Sequence, residues 1–233
     1  MLKTILITGA NRGIGFEMTK QLAEEGNHVF ATCRLPEEAA ALNELASQYS
    51  ELISVLPLDV INDMSVHAAA EAVAAKTSHL DIIINNAGVN FRDKFETFNA
   101  DEFLFTLNVN GVGAFRVVHK FIDLLRQGSD KKIVNISSQL GSLTAQRPGF
   151  GSSGYNSSKA VMNMITRHLS FDLASEGIIV ISMHPGWVQT DMGGPQAAVT
   201  PPDSAAGILK VTAGLTADDN GKFYIYNGEI HPW

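Results

Sequence analysis

Tyr155 and Lys159 stand four positions apart, so on a helix their side chains share one face. A phenol beside a cation is a proton donor with a partner able to stabilise the phenolate it leaves behind, although the same spacing also describes ordinary neighbours on a helix surface. Ser137 and Ser138 follow the apolar run Ile133-Val134-Asn135-Ile136, which puts hydroxyls at a strand end where a substrate oxygen could be held. Near the start of the chain, Thr8-Gly9-Ala10-Asn11-Arg12-Gly13-Ile14-Gly15 joins an apolar run to a helix. Its glycines let the backbone turn sharply and approach a pyrophosphate, and the helix N-terminus attracts negative charge. The spacing Gly-x-x-x-Gly-x-Gly departs from the more familiar Gly-x-Gly-x-x-Gly. Its place after the first strand and before the first helix is what carries the reading of nucleotide binding.

The end of the second apolar run bears on which nucleotide. An Asp or Glu there suits the ribose 2′-hydroxyl of NAD, whereas an Arg accommodates the 2′-phosphate of NADP. Here the run ends in Cys33-Arg34, and Arg12 in the glycine loop offers a second guanidinium suited to bidentate phosphate contact. Together they favour NADP(H), with NAD less favoured. Glu37 and Glu38 lie close by but open a helix, where acidic residues are expected from the dipole alone.

These residues need elements to position them. Apolar runs at 3–8, 28–33, 53–58, 81–84, 132–136 and 178–183, with a weaker one at 223–226, alternate with helical patterns at 14–25, 37–49, 63–76, 100–126, 155–175 and 204–214. Continuous rather than alternating apolar strands imply burial on both faces. The expected fold class is therefore α/β, a doubly wound parallel sheet of about seven strands with helices on both faces, in a single domain over 1–233. In such sheets ligands bind beyond the carboxyl ends of the strands. Two loops at that edge, 141–154 and 187–202, are candidate substrate walls; Pro201-Pro202 in the second is expected to break any helix.

Composition removes several alternatives. The chain has 233 residues, 45% hydrophobic and only 18% charged, with a net charge of −7, which excludes disorder and gives no footprint for nucleic acid or an anionic membrane. The apolar segment after Lys3 is interrupted by Gly9, Asn11 and Arg12, and no run of about 18 apolar residues could span a bilayer, so a cytoplasmic protein is expected. Its one cysteine, Cys33, has no internal disulfide partner, and the seven histidines show no metal-ligand spacing, so no metal is expected. Phe91, Phe95, Phe98, Phe103 and Phe105 form a cluster read as core or subunit interface rather than substrate pocket, with Phe91 and Trp187 near the cleft.

Taken in order, the glycine loop, Asp59-Val60, Asn85-Asn86-Ala87-Gly88, Asn110, Ser138, Tyr155 with Lys159, and Pro185-Gly186 resemble the short-chain dehydrogenase/reductase family, whose fold is of the Rossmann type. The Ser138-to-Tyr155 gap, the stretch from Pro185 to Met192 and the ending 221–233 resemble its carbonyl-reductase branch, which includes sniffer and C-factor proteins. The resemblance implies an NADPH-dependent carbonyl reductase acting on a small aldehyde or ketone; the alternative is an NADP(H)-binding signalling or regulatory protein of C-factor type. It implies a catalytic set of Asn110, Ser138, Tyr155 and Lys159. Asn110 is preferred to Asn108 by the following Gly113-Ala114-Phe115, and Ser138 to Ser137 by Gly141. Tyr155 would protonate the substrate oxygen with its pKa held down by Lys159, and Asn110 would hold water linking Lys159 to solvent. The cofactor would be bound by Gly9, Asn11, Arg12, Gly13, Ile14, Gly15, Arg34, Asp59, Val60, Asn86, Ala87, Gly88, Tyr155, Lys159, Pro185, Gly186, Val188 and Thr190, while Asn85 would pin neighbouring strands. Homo-oligomers, dimeric or tetrameric, and monomers both occur among such relatives.

Overall fold

The computed structural model describes residues 2–145 and 152–233. Strand β1 (Thr4–Thr8) is buried along its whole length, and its side chains divide between two apolar layers: Ile5 and Ile7 enter one and Leu6 the other. A strand covered on both faces needs no polar alternation, which is why β1, β2 (His28–Cys33), β4 (Ile82–Asn85) and β5 (Lys132–Ile136) read as continuous runs. With β3 (Ile53–Pro57), β6 (Ile179–His184) and β7 (Phe223–Ile225) they form one seven-stranded sheet in the order β3-β2-β1-β4-β5-β6-β7, every adjacent pair parallel. Helices α1 (Gly13–Glu24), α2 (Ala40–Gln48) and α7 (Pro201–Gly214) contribute Met18, Leu42 and Ile208 to the first layer. On the other face, α3 (Asp63–Ala74), α5 (Gly113–Arg126) and α6 (Ser153–Asp172) contribute Val66, Phe121 and Leu169. No helix among the described residues is long and apolar enough to cross a membrane.

The chain runs outward from β1 to β3 and then returns to start β4 on the other side of β1. That reversal opens a crevice at the carboxyl ends of β1 and β4. The strands beside it are fastened by a buried polar ladder. Asn85 Nδ2 donates to Asn135 Oδ1 (2.8 Å), Asn135 Nδ2 to Thr166 Oγ1 (2.9 Å), and Ser182 Oγ to Thr166 Oγ1 (2.9 Å), joining β4, β5, β6 and α6. This is the strand-pinning place expected of Asn85.

Several boundaries differ from the sequence reading. The expected helix 100–126 is α4 (Ala100–Leu107) and α5 joined by a π-helical turn, Asn108–Val112. The turn sits where Gly111 and Gly113 let the backbone approach Val161 and Val60 so closely that a Cβ would come within 2.8 and 2.9 Å of their side chains. Such turns sit inside otherwise continuous helix, which is why the sequence reads as one element. Glu37 and Glu38 belong to a short 3-10 turn ahead of α2 rather than to the helix itself. Pro201 and Pro202 open α7 instead of preventing it, because the first helical positions need no intrahelical N–H donor. The loop read as 141–154 ends at Ser153, where α6 begins, and its part 146–151 lies outside the described residues.

Candidate active site

At the switch point the glycine loop is locked to the strand beside it. Gly9 and Gly13 have φ of +66° and +56°, the left-handed region that favours glycine. A Cβ on Gly15 would lie 2.4 Å from Gly9 O and 2.5 Å from Asn86 Nδ2, so no larger residue fits. Asn86 Nδ2 donates to both Thr8 O and Gly9 O at 3.0 Å, while Thr8 Oγ1 accepts the N–H groups of Asn86 and Ala87 at 3.0 and 3.1 Å. The N-terminus of α1 has no side-chain cap and no acidic residue in its first turn. Its free N–H groups, the close glycine backbone and two nearby arginines fit a pyrophosphate and a further phosphate.

A cleft of about 450 Å³ follows the carboxyl edge of the sheet. Its walls include Gly9, Asn11, Arg12, Gly13 and Ile14 from the glycine loop, Arg34 after β2, Asp59 and Val60 after β3, and Asn86, Ala87 and Gly88 after β4. Tyr155 and Lys159 from α6, and Pro185 and Thr190 after β6, complete the sequence candidates found there. The others stand behind the wall. Gly15 packs beneath the loop, Gly186 (φ +87°) turns the chain after β6, and Val188 is buried with its backbone bridged to Val199. Asn110 and Ser138 are buried at the α6 end.

Around α6 the polar groups are tightly arranged. Lys159 Nζ donates to Ile136 O (2.7 Å) and lies 5.6 Å from the centroid of the Tyr155 ring. Ser138 Oγ accepts from Leu140 N (3.2 Å), which leaves its proton to donate, and it hydrogen-bonds Tyr155. Ser137, the rival in the sequence, also lines the cleft, but its hydroxyl donates to Asn163 Oδ1 (2.6 Å) on α6. Asn110 Nδ2 donates to Val89 O and Ser158 Oγ, each 2.9 Å, and its Oδ1 accepts Val89 N (2.8 Å). A Cβ on Gly88 would lie 3.3 Å from Asn110 Oδ1 and 3.8 Å from Lys159 Nζ, which makes that glycine the spacer between them.

The electrostatics differ in one respect from expectation. Burial pushes the Tyr155 phenol up to about 12, opposed by its bond to Ser138, and pushes Lys159 down to about 8. Lys159 was expected to hold the phenol down, but its ammonium is directed at Ile136 O and desolvation wins. Tyr155 thus rests as a neutral phenol, the form that can give a proton away.

Other wall residues carried no motif. Leu58, Val89, Phe105, Val109 and Met192 supply apolar surface to the cleft; Phe105 also packs against the core layer, as the aromatic cluster was expected to. Phe95 and Phe98 are exposed and are not core. Arg92, with φ of +56°, donates from Nη2 to Met192 O (2.8 Å), and Arg12 Nη1 pairs with Asp191 Oδ2 (3.0 Å). The only sequence signal for these contacts was the length of the 187–202 loop.

A parallel sheet of this order, with an uncapped glycine-rich turn at its switch point and a Tyr–Lys helix beside it, defines a dinucleotide-binding oxidoreductase fold. The short chain dehydrogenase family model matches residues 3–199, and the chain belongs to the short-chain dehydrogenase/reductase family, on its carbonyl-reductase branch. Among solved structures, the NADPH-bound carbonyl reductase from chicken fatty liver is 34% identical with a TM-score of 0.95, covering 100% of this chain and 99% of that one. The carbonyl reductase Sniffer of D. melanogaster is 32% identical with a TM-score of 0.94, covering 100% of both. The C-signal protein of Myxococcus xanthus is 40% identical over 67% of this chain and 95% of its own.

Proposed function

We propose that this oxidoreductase reduces an aldehyde or ketone to an alcohol using NADPH. The observation that carries the reading is the convergence of Ser138, Tyr155 and Lys159 beside a cleft with a phosphate-ready glycine loop. When bound, the dinucleotide supplies hydride to the carbonyl carbon. Tyr155 keeps its proton until negative charge develops on the carbonyl oxygen and then donates it there. Ser138 Oγ donates a hydrogen bond to that oxygen and orients it. Lys159, protonated in its majority at pH 7 because its pKa is about 8, attracts the phenolate left behind. Asn110 acts as a positioning residue, holding Val89 and Ser158 and so fixing the π turn against α6. Arg12 and Arg34 line the cleft and suit a 2′-phosphate, which is the basis for NADP(H) over NAD(H). The same reading keeps one domain over 1–233, a small-molecule partner and a cytoplasmic setting.

Loss of NADPH absorbance across a panel of aldehydes and ketones tests it. Turnover that depends on Tyr155 supports the reading, and no turnover with any carbonyl defeats it. A second reading rests on the likeness to C-signal: a signalling protein that binds NADP(H) without needing proton transfer. Tyr155→Phe retaining cellular function while Gly13→Ala loses it would favour that reading.

A further inference from the structure

We infer that Asp191 is the resident counter-charge of Arg12 and thereby limits how strongly the site prefers NADP(H) over NAD(H). The inference rests on the proposed role of Arg12 as a ligand of the 2′-phosphate. Arg12 Nη1 and Asp191 Oδ2 are 3.0 Å apart, and both residues line the dinucleotide cleft. Their side chains are 70% and 79% exposed, so the guanidinium is free to exchange one anion for another. The two segments are close at this point: a Cβ on Gly13 would lie 3.2 Å from Thr190 Cγ2.

A 2′-phosphate must therefore take Arg12 from a carboxylate, whereas NAD(H) carries no such group and leaves the pair intact. Phosphate wins the exchange because it offers more charge and a bidentate edge, but its net gain is reduced by whatever the resident pair was contributing. Exchange does not unfasten the loop. Arg92 donates to Met192 O, and the pairing of Gln189 N with Val199 O and of Val199 N with Trp187 O secures its base. Asp191 is thus a specificity-determining residue acting through Arg12.

Calorimetric titration of NADPH and NADH into the full chain tests this. Asp191→Asn should tighten NADPH by about two- to five-fold, the worth of an exposed ion pair, and leave NADH unchanged. The gain should vanish in an Arg12→Gln background and shrink at high salt. Asp191→Glu, which keeps the charge, should bind NADPH as the parent does. Unchanged or weaker NADPH binding by Asp191→Asn, an equal change for both cofactors, or a gain that persists without Arg12 would each overturn the inference. A parent chain with no preference for NADPH over NADH would overturn the 2′-phosphate reading, and the inference with it.

Discussion

On the cofactor side of the cleft, Thr8, Gly9, Gly15 and Asn86 interlock through backbone contacts and hydrogen bonds that leave no room for a methyl group on Gly15. Opposite it, the segments after β4 and β6 meet through a single long side chain, Arg92 to Met192 O, and leave Phe91, Phe95 and Trp187 exposed. One wall must present fixed N–H groups to a ligand of constant shape. The other is built from loops, whose shape can change without disturbing the sheet. Tyr155, Ser138 and Lys159 stand at the seam, Ser138 and Lys159 buried and Tyr155 half-buried against the cleft.

Substitutions can break this contrast, beginning with the seam. Tyr155→Phe removes the proton donor without changing the cavity; kcat should fall by about 10²–10⁴-fold while NADPH affinity, measured by titration, stays within about threefold. On the rigid wall, Gly15→Ala forces a methyl group against Gly9 O and Asn86, so NADPH binding should be lost and unfolding by denaturant should show a loss of about 1–3 kcal/mol. A retained affinity would show the wall to be as adaptable as the loops opposite.

Lys159 gives a pH signature. Its pKa is lowered from the ordinary 10.5 to about 8, so between those values the unfolded chain holds the proton that the folded chain has released. Stability relative to Lys159→Met should therefore rise with pH from about 8 towards 10.5, read by thermal unfolding. Reductive kcat should fall over the start of the same range, as the cation beside Tyr155 is lost. The smallest effect belongs to the open wall: Phe95 is 89% exposed, and Phe95→Ala should change stability by no more than about 0.5 kcal/mol.

The same contrast explains what the sequence could convey. Glycines that permit only one packing, such as Gly9, Gly13 and Gly15, and strands buried on both faces leave marks in residue type and spacing. So did Asn85, whose amide has its place in a buried ladder. The π turn at Asn108–Val112 was not legible, because helix continues directly on both sides of it; only Gly111 and Gly113 hint at the close approach. Pro201 and Pro202 misled because the same residue type ends a helix interior and starts a helix. The Arg12–Asp191 and Arg92–Met192 contacts span 179 and 100 residues and depend on side-chain reach, which no local pattern encodes.

The central claim is that this cleft delivers hydride to a carbonyl carbon and the Tyr155 proton to its oxygen. Its most direct test uses NADPH deuterated at the nicotinamide C4 position, with a carbonyl compound from the active panel and mass spectrometry of the product. The account predicts an alcohol with deuterium on the former carbonyl carbon, formed by the parent chain and suppressed by about 10²-fold or more in Tyr155→Phe. An unlabelled product, or equal labelling rates in the two proteins, would contradict it.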